Sequence, residues 1–296
     1  MDPHLLRTFV AVATAGSFSA AAQELGYTQS AVSQQIAALE SDLGTTLLRR
    51  RPVGPTDAGA RLLEHAGPIL LRLSAARADV ARLSGQPAAT VVLGVTPFAG
   101  AARAAEVLVP VQRAMPRVRC TLLVAGRDAV AAGVATGTLD VGLVDGVTAP
   151  SDPLPLPDAG QLSASVLAQS TAVAAFPAGH PLAGRRALRL ADLADATWID
   201  APDVATPLPQ LRALAHSGGF RDGLRYPGTD TGGLLALVAA GAGLALLPGP
   251  VTYPGVVGVP VTQPRLVHRV ELVHGALTPP ARALAVALQT AQTPRT

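Results

Sequence analysis

The N-terminal pattern of apolar and polar positions predicts three short helices that are separated by glycines. The predicted spans are 2–16, 17–26 and 28–44, and each begins at a capping Asp, Ser or Thr and ends at Gly. The connection between the second and third helices is very short, so these two helices are expected to cross at a steep angle.

The third predicted helix separates its apolar and polar residues onto opposite faces. Its core face follows helical spacing and consists of Val32, Ile36, Leu39 and Leu43. Its outer face carries short polar side chains at Gln29, Ser30, Ser33 and Gln34, together with Ala37. Such side chains are what a DNA-reading helix presents to base edges, although an ordinary solvated face has the same composition.

Three adjacent arginines follow this helix. Pro52 and Gly54–Pro55 exclude a helix here, so Arg49–Arg51 are predicted to lie on an extended loop or wing. Three positive charges beside a polar-faced helix favour contact with DNA phosphates or the minor groove, and the alternative is a charge run exposed to solvent.

A longer helix is predicted after Thr56–Asp57, and its apolar residues repeat with heptad spacing. The resulting seam consists of Leu62, Ala66, Ile69, Leu73, Ala76, Val80 and Leu83. We interpret it as a dimerisation helix, because a helix at a domain boundary has only a copy of itself to cover such a seam. Packing against its own domain is the alternative. A hinge is predicted at Gly85–Ala89.

From Thr90 onward, short β-branched runs alternate with helical patterns, which predicts an open parallel α/β sheet. The first set comprises strands at 91–95, 119–124 and 141–144 and helices at 97–115 and 127–135. A proline-rich connector leads to strands at 165–168, 172–176, 197–199, 225–226 and 244–247 and helices at 207–217 and 232–240. A last strand at 269–274 and helix at 280–291 are predicted to complete the first subdomain.

The amino-acid composition excludes several classes of enzyme as functions of this protein. All 23 basic side chains are arginine, so the lysine of a P-loop, of a pyridoxal phosphate enzyme or of a kinase is absent. The six histidines are scattered without metal-ligand spacing, and we find no catalytic motif. We therefore expect no enzyme activity, no cofactor and no metal site.

Charge, hydropathy and cysteine content add weaker constraints. A formal net charge of +3 is little evidence for an anionic partner. The uninterrupted apolar run Leu234–Leu247 is too short to span a bilayer, which predicts a soluble protein without a membrane partner. Cys120 lies in an apolar run and is expected to be a buried, inert thiol rather than a redox sensor.

Several spaced features of residues 1–84 agree with one another. They are a helix, a helix–turn–helix, the run "SAVSQQIAALESDLG", the arginine wing, "TDAG" and the linker helix. In this order they resemble the DNA-binding half of LysR-type transcriptional regulators. The resemblance implies base-reading positions at Gln29, Ser30, Ser33 and Gln34 and phosphate-anchoring positions near Thr28, Arg49 and Thr56. We include Arg50 and Arg51 among the candidate DNA-binding residues.

One departure from the family pattern concerns base readout. Many relatives carry arginine where this chain has Gln34, and commonly proline at Ser30. Glutamine pairs best with adenine, whereas arginine pairs best with guanine, so we expect this helix to favour A·T base pairs.

The C-terminal runs "VVLGVTPFAG", "GTLDVGLVD", "AAFPAGHPLAG", "LADLADATWI" and "LVAAGAGLALLPG" resemble the effector-binding half of the same family. The resemblance implies a multidomain α plus α/β protein: an N-terminal winged helix–turn–helix with a long linker helix, and a C-terminal two-lobed, periplasmic-binding-protein-like (type 2) α/β domain. The expected boundaries are 1–58 for the winged domain, 59–84 for the linker helix, 85–89 for the hinge and 90–296 for the effector domain. Lobe I is expected at about 90–161 and 266–296, and lobe II at about 162–265.

Candidate effector contacts lie where helices start directly after buried strands, since such N-termini attract anions. Thr96, Thr206 and Thr231 occupy three of these positions, and Arg127 is suited to pair with a carboxylate. For each threonine a plain helix cap is the alternative, and for Arg127 a surface role. The full set of candidates is Thr96, Pro97, Phe98, Arg127, Asp145, Ala201, Thr206 and Thr231. His180 is interpreted as structural.

The resemblance implies a ligand-responsive regulator that binds promoter DNA as a dimer or tetramer and, if it activates, contacts RNA polymerase. Such a protein is expected in the cytoplasm, on the nucleoid. One alternative is a small-molecule-binding α/β protein whose N-terminal helices serve only oligomerisation. Another is an enzyme of the solute-binding fold, such as a deaminase-like lyase. The sequence offers no residues that we can assign to its catalytic site.

Overall fold

The computed structural model describes residues 1–83, 90–158 and 162–291. These residues form two compact units, of which the first contains Met1–Arg77 and the second contains Ala78–Pro157 and the chain beyond the connector. The predicted hinge at 85–89 and the side chain of Leu83 lie outside the described residues.

The first unit consists of three helices, a two-stranded hairpin and most of a fourth helix, which continues past Arg77. Its elements are α1 (Pro3–Ala15), α2 (Phe18–Leu25), α3 (Gln29–Leu43), β1 (Leu48–Arg50), β2 (Val53–Pro55) and α4 (Asp57–Leu83). The predicted caps of the first three helices are confirmed, because the side chains of Asp2, Ser17 and Thr28 each accept a bond from a backbone amide in the following turn. Each of these helices ends at a glycine with left-handed backbone geometry, a conformation that glycine adopts without steric cost.

The core of this unit is hydrophobic and is formed by the four helices together with the start of the hairpin. Phe9, Val32, Ile36 and Leu39 are fully buried in it, as the helical spacing predicts. Leu43 shares their helical face, but its prediction as a core residue was wrong. Its side chain is 41% exposed, since it lies in the final turn of α3, at the end of the row that packs into the core.

The hairpin and the start of α4 pack closely together. β1 and β2 are antiparallel, with Arg49 opposite Gly54 and Arg50 opposite Val53, so the predicted wing is a short β-hairpin. A Cβ atom on Gly59 would lie 2.0 Å from the carbonyl oxygen of Leu47, and this close approach requires glycine in the first turn of α4.

The heptad seam of α4 divides into two parts. Ala66 is fully buried in the core of its own domain, and Leu62 packs against that core. For these two residues the alternative of packing within the domain is therefore correct. Ile69 is 40% exposed and Val80 is 67% exposed, because the helix continues beyond the domain that covers its first turns.

The second unit begins with three parallel strands and their helices. Its elements are β3 (Thr90–Val95), α5 (Pro97–Ala114), β4 (Arg119–Val124), α6 (Arg127–Thr136), β5 (Val141–Thr148), β6 (Ser163–Pro177), β7 (Leu188–Arg189), β8 (Thr197–Asp200), α7 (Leu208–Ala215), β9 (Arg221–Arg225), α8 (Thr231–Ala239), β10 (Ala245–Pro248), β11 (Val256–Gln263), β12 (Val267–His274) and α9 (Pro279–Thr290). A 3₁₀ turn follows β7 at Leu190–Leu193.

The main sheet is mixed rather than parallel. Its order is β4–β3–β5–β12–β6–β11–β7, with β10 also paired to β6. β12 runs antiparallel to both β5 and β6, because the chain returns along it from the far end of the sheet. The prediction of parallel pairing therefore holds for β3, β4 and β5, for β8 with β9 and for β7 with β11, and it fails for the antiparallel pairings of β12 with β5 and β6 and of β10 and β11 with β6.

β6 connects two halves of this unit. The sequence predicted two strands at 165–168 and 172–176, but they form one continuous strand. Its first part pairs with β12 and its second part with β10 and β11. We call the region around β3, β5, α5 and α9 lobe I and the region around β8, β10 and α7 lobe II.

Each lobe has its own hydrophobic core. In lobe I, Val95, Leu143 and Leu272 pack with Leu284 of the last helix. In lobe II, Trp198 and Phe220 are fully buried and their rings lie 5.6 Å apart. Because β5, β12 and β6 run side by side between these cores, residues on them lie at the floor of the space between the lobes.

Candidate DNA-binding face and effector cleft

The N-terminal half of α3 presents a polar face. The predicted base-reading residues Gln29, Ser30 and Gln34 are exposed, and Ser33 is half-buried. Thr28 caps the helix and its hydroxyl lies 3.0 Å from that of Ser30. This face is free of charge, so hydrogen bonding rather than ion pairing decides what it recognises.

The neighbouring Gln35 has a different role from Gln34. Its Oε1 accepts a hydrogen bond of 2.6 Å from the hydroxyl of Thr8, which is buried in α1. Of the two adjacent glutamines, Gln34 therefore has an exposed amide, whereas Gln35 connects α3 to α1 through its hydrogen bond.

The three wing arginines do not share one environment. Because side chains alternate along a strand, Arg50 lies on the same side of β1 as the buried Leu48. Its guanidinium lies over the ring of Phe18, 4.9 Å from the ring centre. Arg49 lies on the opposite side of the strand and Arg51 follows in the turn, and all three arginine side chains are exposed.

Two further side chains fasten the wing. Oε1 of Glu40, near the end of α3, accepts bonds of 2.8 Å from the amide of Leu47 and 3.1 Å from that of Leu48. Thr56 donates to the carbonyl of Thr46 at 2.7 Å and accepts from an amide of α4. The hydroxyl of this predicted phosphate anchor is therefore used within the protein, and the contribution of Glu40 was missed by sequence reasoning.

A cleft lies between the lobes of the second unit. It is narrow, and the space that can hold the centre of a water molecule is about 30 Å³. Five of the predicted effector residues line it, namely Thr96, Phe98, Arg127, Asp145 and Thr206. The first four come from lobe I and its strands, and Thr206 comes from lobe II.

A row of hydrogen-bonded side chains crosses the floor of the cleft. Asp145 on β5 accepts a bond from the hydroxyl of Thr96, and its second oxygen lies 2.6 Å from Nε2 of His268 on β12. Nδ1 of His268 lies 3.4 Å from the hydroxyl of Ser170 on β6. This row places polar groups from three adjacent strands at the junction of the lobes.

Arg127 begins α6 and reaches toward lobe II. Its Nη2 donates to Oε1 of Gln210 at 3.3 Å, and Nε2 of Gln210 donates to the carbonyl of Val147 at 2.7 Å. Nε of Arg127 is buried and has no hydrogen-bond acceptor among the described residues. A guanidinium with a spare donor in a cleft is suited to an anionic group of a ligand.

The lobes also meet where α6 begins. A Cβ atom on Gly126 would lie 2.0 Å from a carboxylate oxygen of Asp203, so the glycine leaves room for the Asp203 side chain of the lobe II loop. Asp203, Gly146 and His268 line the cleft and were missed by sequence reasoning. They come from loops and strands far apart along the chain, and no local pattern marks them.

Three of the predicted effector residues do not line the cleft. Pro97 starts α5 beside it, and Ala201 is buried in the core of lobe II. Thr231 was predicted to cap a helix and bind an anion. The cap is instead Asp230, whose carboxylate accepts bonds of 2.9 Å from the amides of Gly232 and Gly233 and so occupies the anion position.

His180 and Cys120 have structural environments. Nδ1 of His180 accepts from the amide of Leu182 at 3.2 Å, and its ring lies 4.7 Å from that of Phe176, which agrees with the structural interpretation. Cys120 is half-buried rather than buried, because β4 is an edge strand, and desolvation raises the pKa of its thiol. Across the described ranges, no group of three or more metal-ligating side chains is assembled.

Comparison with known proteins decides the family. Residues 3–60 match the model of the bacterial regulatory helix-turn-helix protein, lysR family, and residues 84–293 match the LysR substrate binding domain. The chain belongs to the LysR family. Like the named members of this family, it is a DNA-binding transcriptional regulator with an effector-binding domain, and not an enzyme.

Relatives of this LysR-family chain match it over most of its length. The transcriptional regulator BudR of Raoultella terrigena is 31% identical over 260 residues, covering 85% of this chain and 86% of BudR. ShiR of Corynebacterium glutamicum is 30% identical over 284 residues, covering 93% and 92%. The fold is similar to full-length CbnR in complex with its target DNA, with a TM-score of 0.50 and 21% identity over 98% of this chain and 100% of that one.

The winged helix–turn–helix and the two-lobed α/β domain predicted from the sequence are confirmed. DNA and a small-molecule effector are the partners of this LysR-family regulator. None of the helices in the described part of the chain is long and apolar enough to cross a membrane.

Proposed function

We propose that this regulator reads promoter DNA with the N-terminal half of α3 in the major groove and anchors itself with the wing. The observation that carries this proposal is the exposed polar face at Gln29, Ser30 and Gln34, beside the exposed Arg49 and Arg51. Neutral hydrogen-bonding groups suit base edges, and flanking guanidiniums suit phosphates.

Base readout is tested by replacing Gln34. We expect Gln34→Ala to weaken binding to the DNA upstream of its own gene by about tenfold and to leave binding to scrambled DNA unchanged, since a bidentate amide–adenine pair contributes about 1–3 kcal/mol. Gln112→Ala, an exposed glutamine of the second unit, is the matched control. Equal losses on both DNAs would show that Gln34 does not read bases.

We propose that two chains dimerise through the exposed part of α4. Ile69 and Ala76 are exposed on one heptad seam, and apolar side chains at this spacing are buried when two such helices pack together. Dimerisation places two copies of α3 on two half-sites of a pseudo-palindrome, because protein symmetry is mirrored in the operator.

A second contact between effector domains would make a tetramer, a dimer of dimers. The edge strand β4 supports this, because Leu122, Leu123 and Val124 are all exposed on it. Exposed apolar edge strands are rare in proteins that do not use them for association. Sedimentation of the full chain tests the proposal, with a tetramer expected and a concentration-independent dimer contradicting it.

We propose that the effector binds in the cleft beside Thr96, Arg127 and Thr206. Groups from both lobes face this space, so a ligand that contacts both has a different affinity for open and closed arrangements. That difference in affinity is what allows a ligand to change how the dimers lie on DNA. We extend the proposal to contact with RNA polymerase on activated promoters and to action in the cytoplasm, on the nucleoid.

A further inference from the structure

The wing hairpin carries three arginines, but strand alternation separates them. Arg50 lies on the side of β1 that carries Leu48 and Arg49 lies on the opposite side, and both side chains are exposed. The two guanidiniums therefore leave the strand in different directions.

The side chain of Arg50 contacts the first residue of α2. Its guanidinium lies 4.9 Å from the centre of the Phe18 ring, within the distance at which a cation is attracted to an aromatic face. Phe18 is itself buried, 8% exposed, and its position is fixed because Ser17 caps α2 directly before it. The ring is therefore a rigid platform for the guanidinium.

No carboxylate pairs with Arg50 within 4.0 Å among the residues that the structure describes, so the aromatic face is its observed electrostatic partner. Arginine is more weakly hydrated than lysine and stacks its planar group on aromatic rings. In this arrangement the Arg50 side chain points toward α2, and the Phe18 ring covers one face of its guanidinium.

The contact links the wing to the helix–turn–helix. Phe18 begins α2, which precedes the turn into α3, and Glu40 binds the start of β1 from the other end of α3. The hairpin is thus held at its beginning by Glu40 and farther along by Arg50. Glu40 and Thr56 hold the base of the hairpin, and Arg50 adds an attachment at the end of β1, nearer the turn.

We propose that Arg50 is a positioning residue that fixes the wing against α2 by stacking on Phe18, while Arg49 and Arg51 make the phosphate contacts. This inference rests on the proposed contact between wing and DNA. The sequence alone suggests that all three adjacent arginines contact DNA. This inference gives Arg50 a role within the protein instead.

The test compares the salt dependence of DNA binding among variants. Removing a phosphate contact lowers the slope of log affinity against log salt by about one, whereas loss of a positioning residue weakens binding without that change. Fluorescence anisotropy with the full chain and the DNA upstream of its gene, at several NaCl concentrations, measures both quantities. Arg49→Ala is the control and is expected to lower the slope.

Arg50→Ala is expected to weaken binding by about fivefold with the slope preserved, in line with the strength of an exposed cation–π contact. Arg50→Met removes the charge but retains a long side chain that packs on an aromatic ring. We expect it to restore at least half of the lost affinity on a logarithmic scale. A neutral side chain cannot restore a phosphate contact, so this rescue is specific to positioning.

The double variant with Phe18→Leu gives a second readout. If Arg50 acts through the ring, Arg50→Ala causes little further loss once Phe18 is replaced, and the effects are not additive. Thermal melting of each variant shows whether Phe18→Leu disturbs the core, and the methionine variant tests the proposal independently if it does.

Two results would overturn the inference. A drop in slope for Arg50→Ala equal to that for Arg49→Ala, without rescue by methionine, would make Arg50 a phosphate contact. If neither Arg49→Ala nor Arg50→Ala changed affinity, the wing would not contact DNA, and the proposed mode of DNA binding would fail together with this inference.

Discussion

Glu40 joins the end of α3 to the first strand of the wing, and its truncation should loosen that strand. One carboxylate oxygen accepts from the amides of Leu47 and Leu48, at 2.8 and 3.1 Å, and both of these leucines are buried. Glu40→Ala would leave two amides of buried residues without their acceptor.

The magnitude follows from the type of bond. A hydrogen bond to a charged group contributes about 1.5–3 kcal/mol, and Glu40 is only half-buried, so water replaces part of what is lost. We expect a local loss of about 2 kcal/mol, which is about a 30-fold faster exchange of the two amides. Glu40→Gln retains an acceptor oxygen and should lose less than half of this.

Hydrogen exchange followed by mass spectrometry on peptides that cover residues 44–50 measures this effect. Glu24→Ala is the control, since Glu24 is an exposed carboxylate on α2. Unchanged protection at Leu47 and Leu48 in Glu40→Ala would refute the reasoning, because the two amides would then have been held by something other than the carboxylate.

Three further changes have defined outcomes. Leu73→Asp, on the α4 seam, should halve the mass measured by light scattering, and an unchanged mass would exclude the seam as the dimer interface. Thr96→Phe should abolish the effector response in a promoter–reporter assay while DNA affinity stays within about twofold of the parent, because Thr96 is 2% exposed and bonded to Asp145; a retained response would place the effector elsewhere. Burial raises the pKa of Cys120, so less thiolate is present at neutral pH and iodoacetamide should alkylate it more slowly than free cysteine, with the rate rising as pH increases; equal rates at pH 7 would contradict this.

The first unit was predictable because its signals are local. Capping residues precede the helices and glycines follow them, so α1, α2 and α3 were bounded from sequence alone. The same local reasoning failed at Leu43 and Ala66, whose burial depends on where neighbouring elements begin and end. Helical spacing gives the face of a residue and does not show whether another element covers that face.

The second unit was less predictable because its strands pair over long distances. β6 was divided in two by its polar stretch at Gln169–Thr171, which lies where the strand passes from lobe I to lobe II. β11 was missed because Gly258 and Pro260 interrupt its apolar run. The resulting errors concern connectivity between the lobes rather than the elements within them.

The cleft shows the same limit. Thr96 and Arg127 were found because each begins a helix after a strand, which is a local signal. His268 was missed because its position beside Asp145 depends on β12 returning between β5 and β6. A side chain on a returning strand acquires its neighbours only through the sheet order.

The central claim is that the polar face of α3 and the exposed wing arginines make this chain a sequence-specific DNA-binding protein. A fluorescence-anisotropy titration of the full chain with the DNA upstream of its own gene, against a scrambled duplex at about 0.15 M salt, tests it most directly. The account predicts at least about a hundredfold preference for the upstream DNA, because specific sites are typically bound far more tightly than random sequence. Equal affinity for the two duplexes would contradict it.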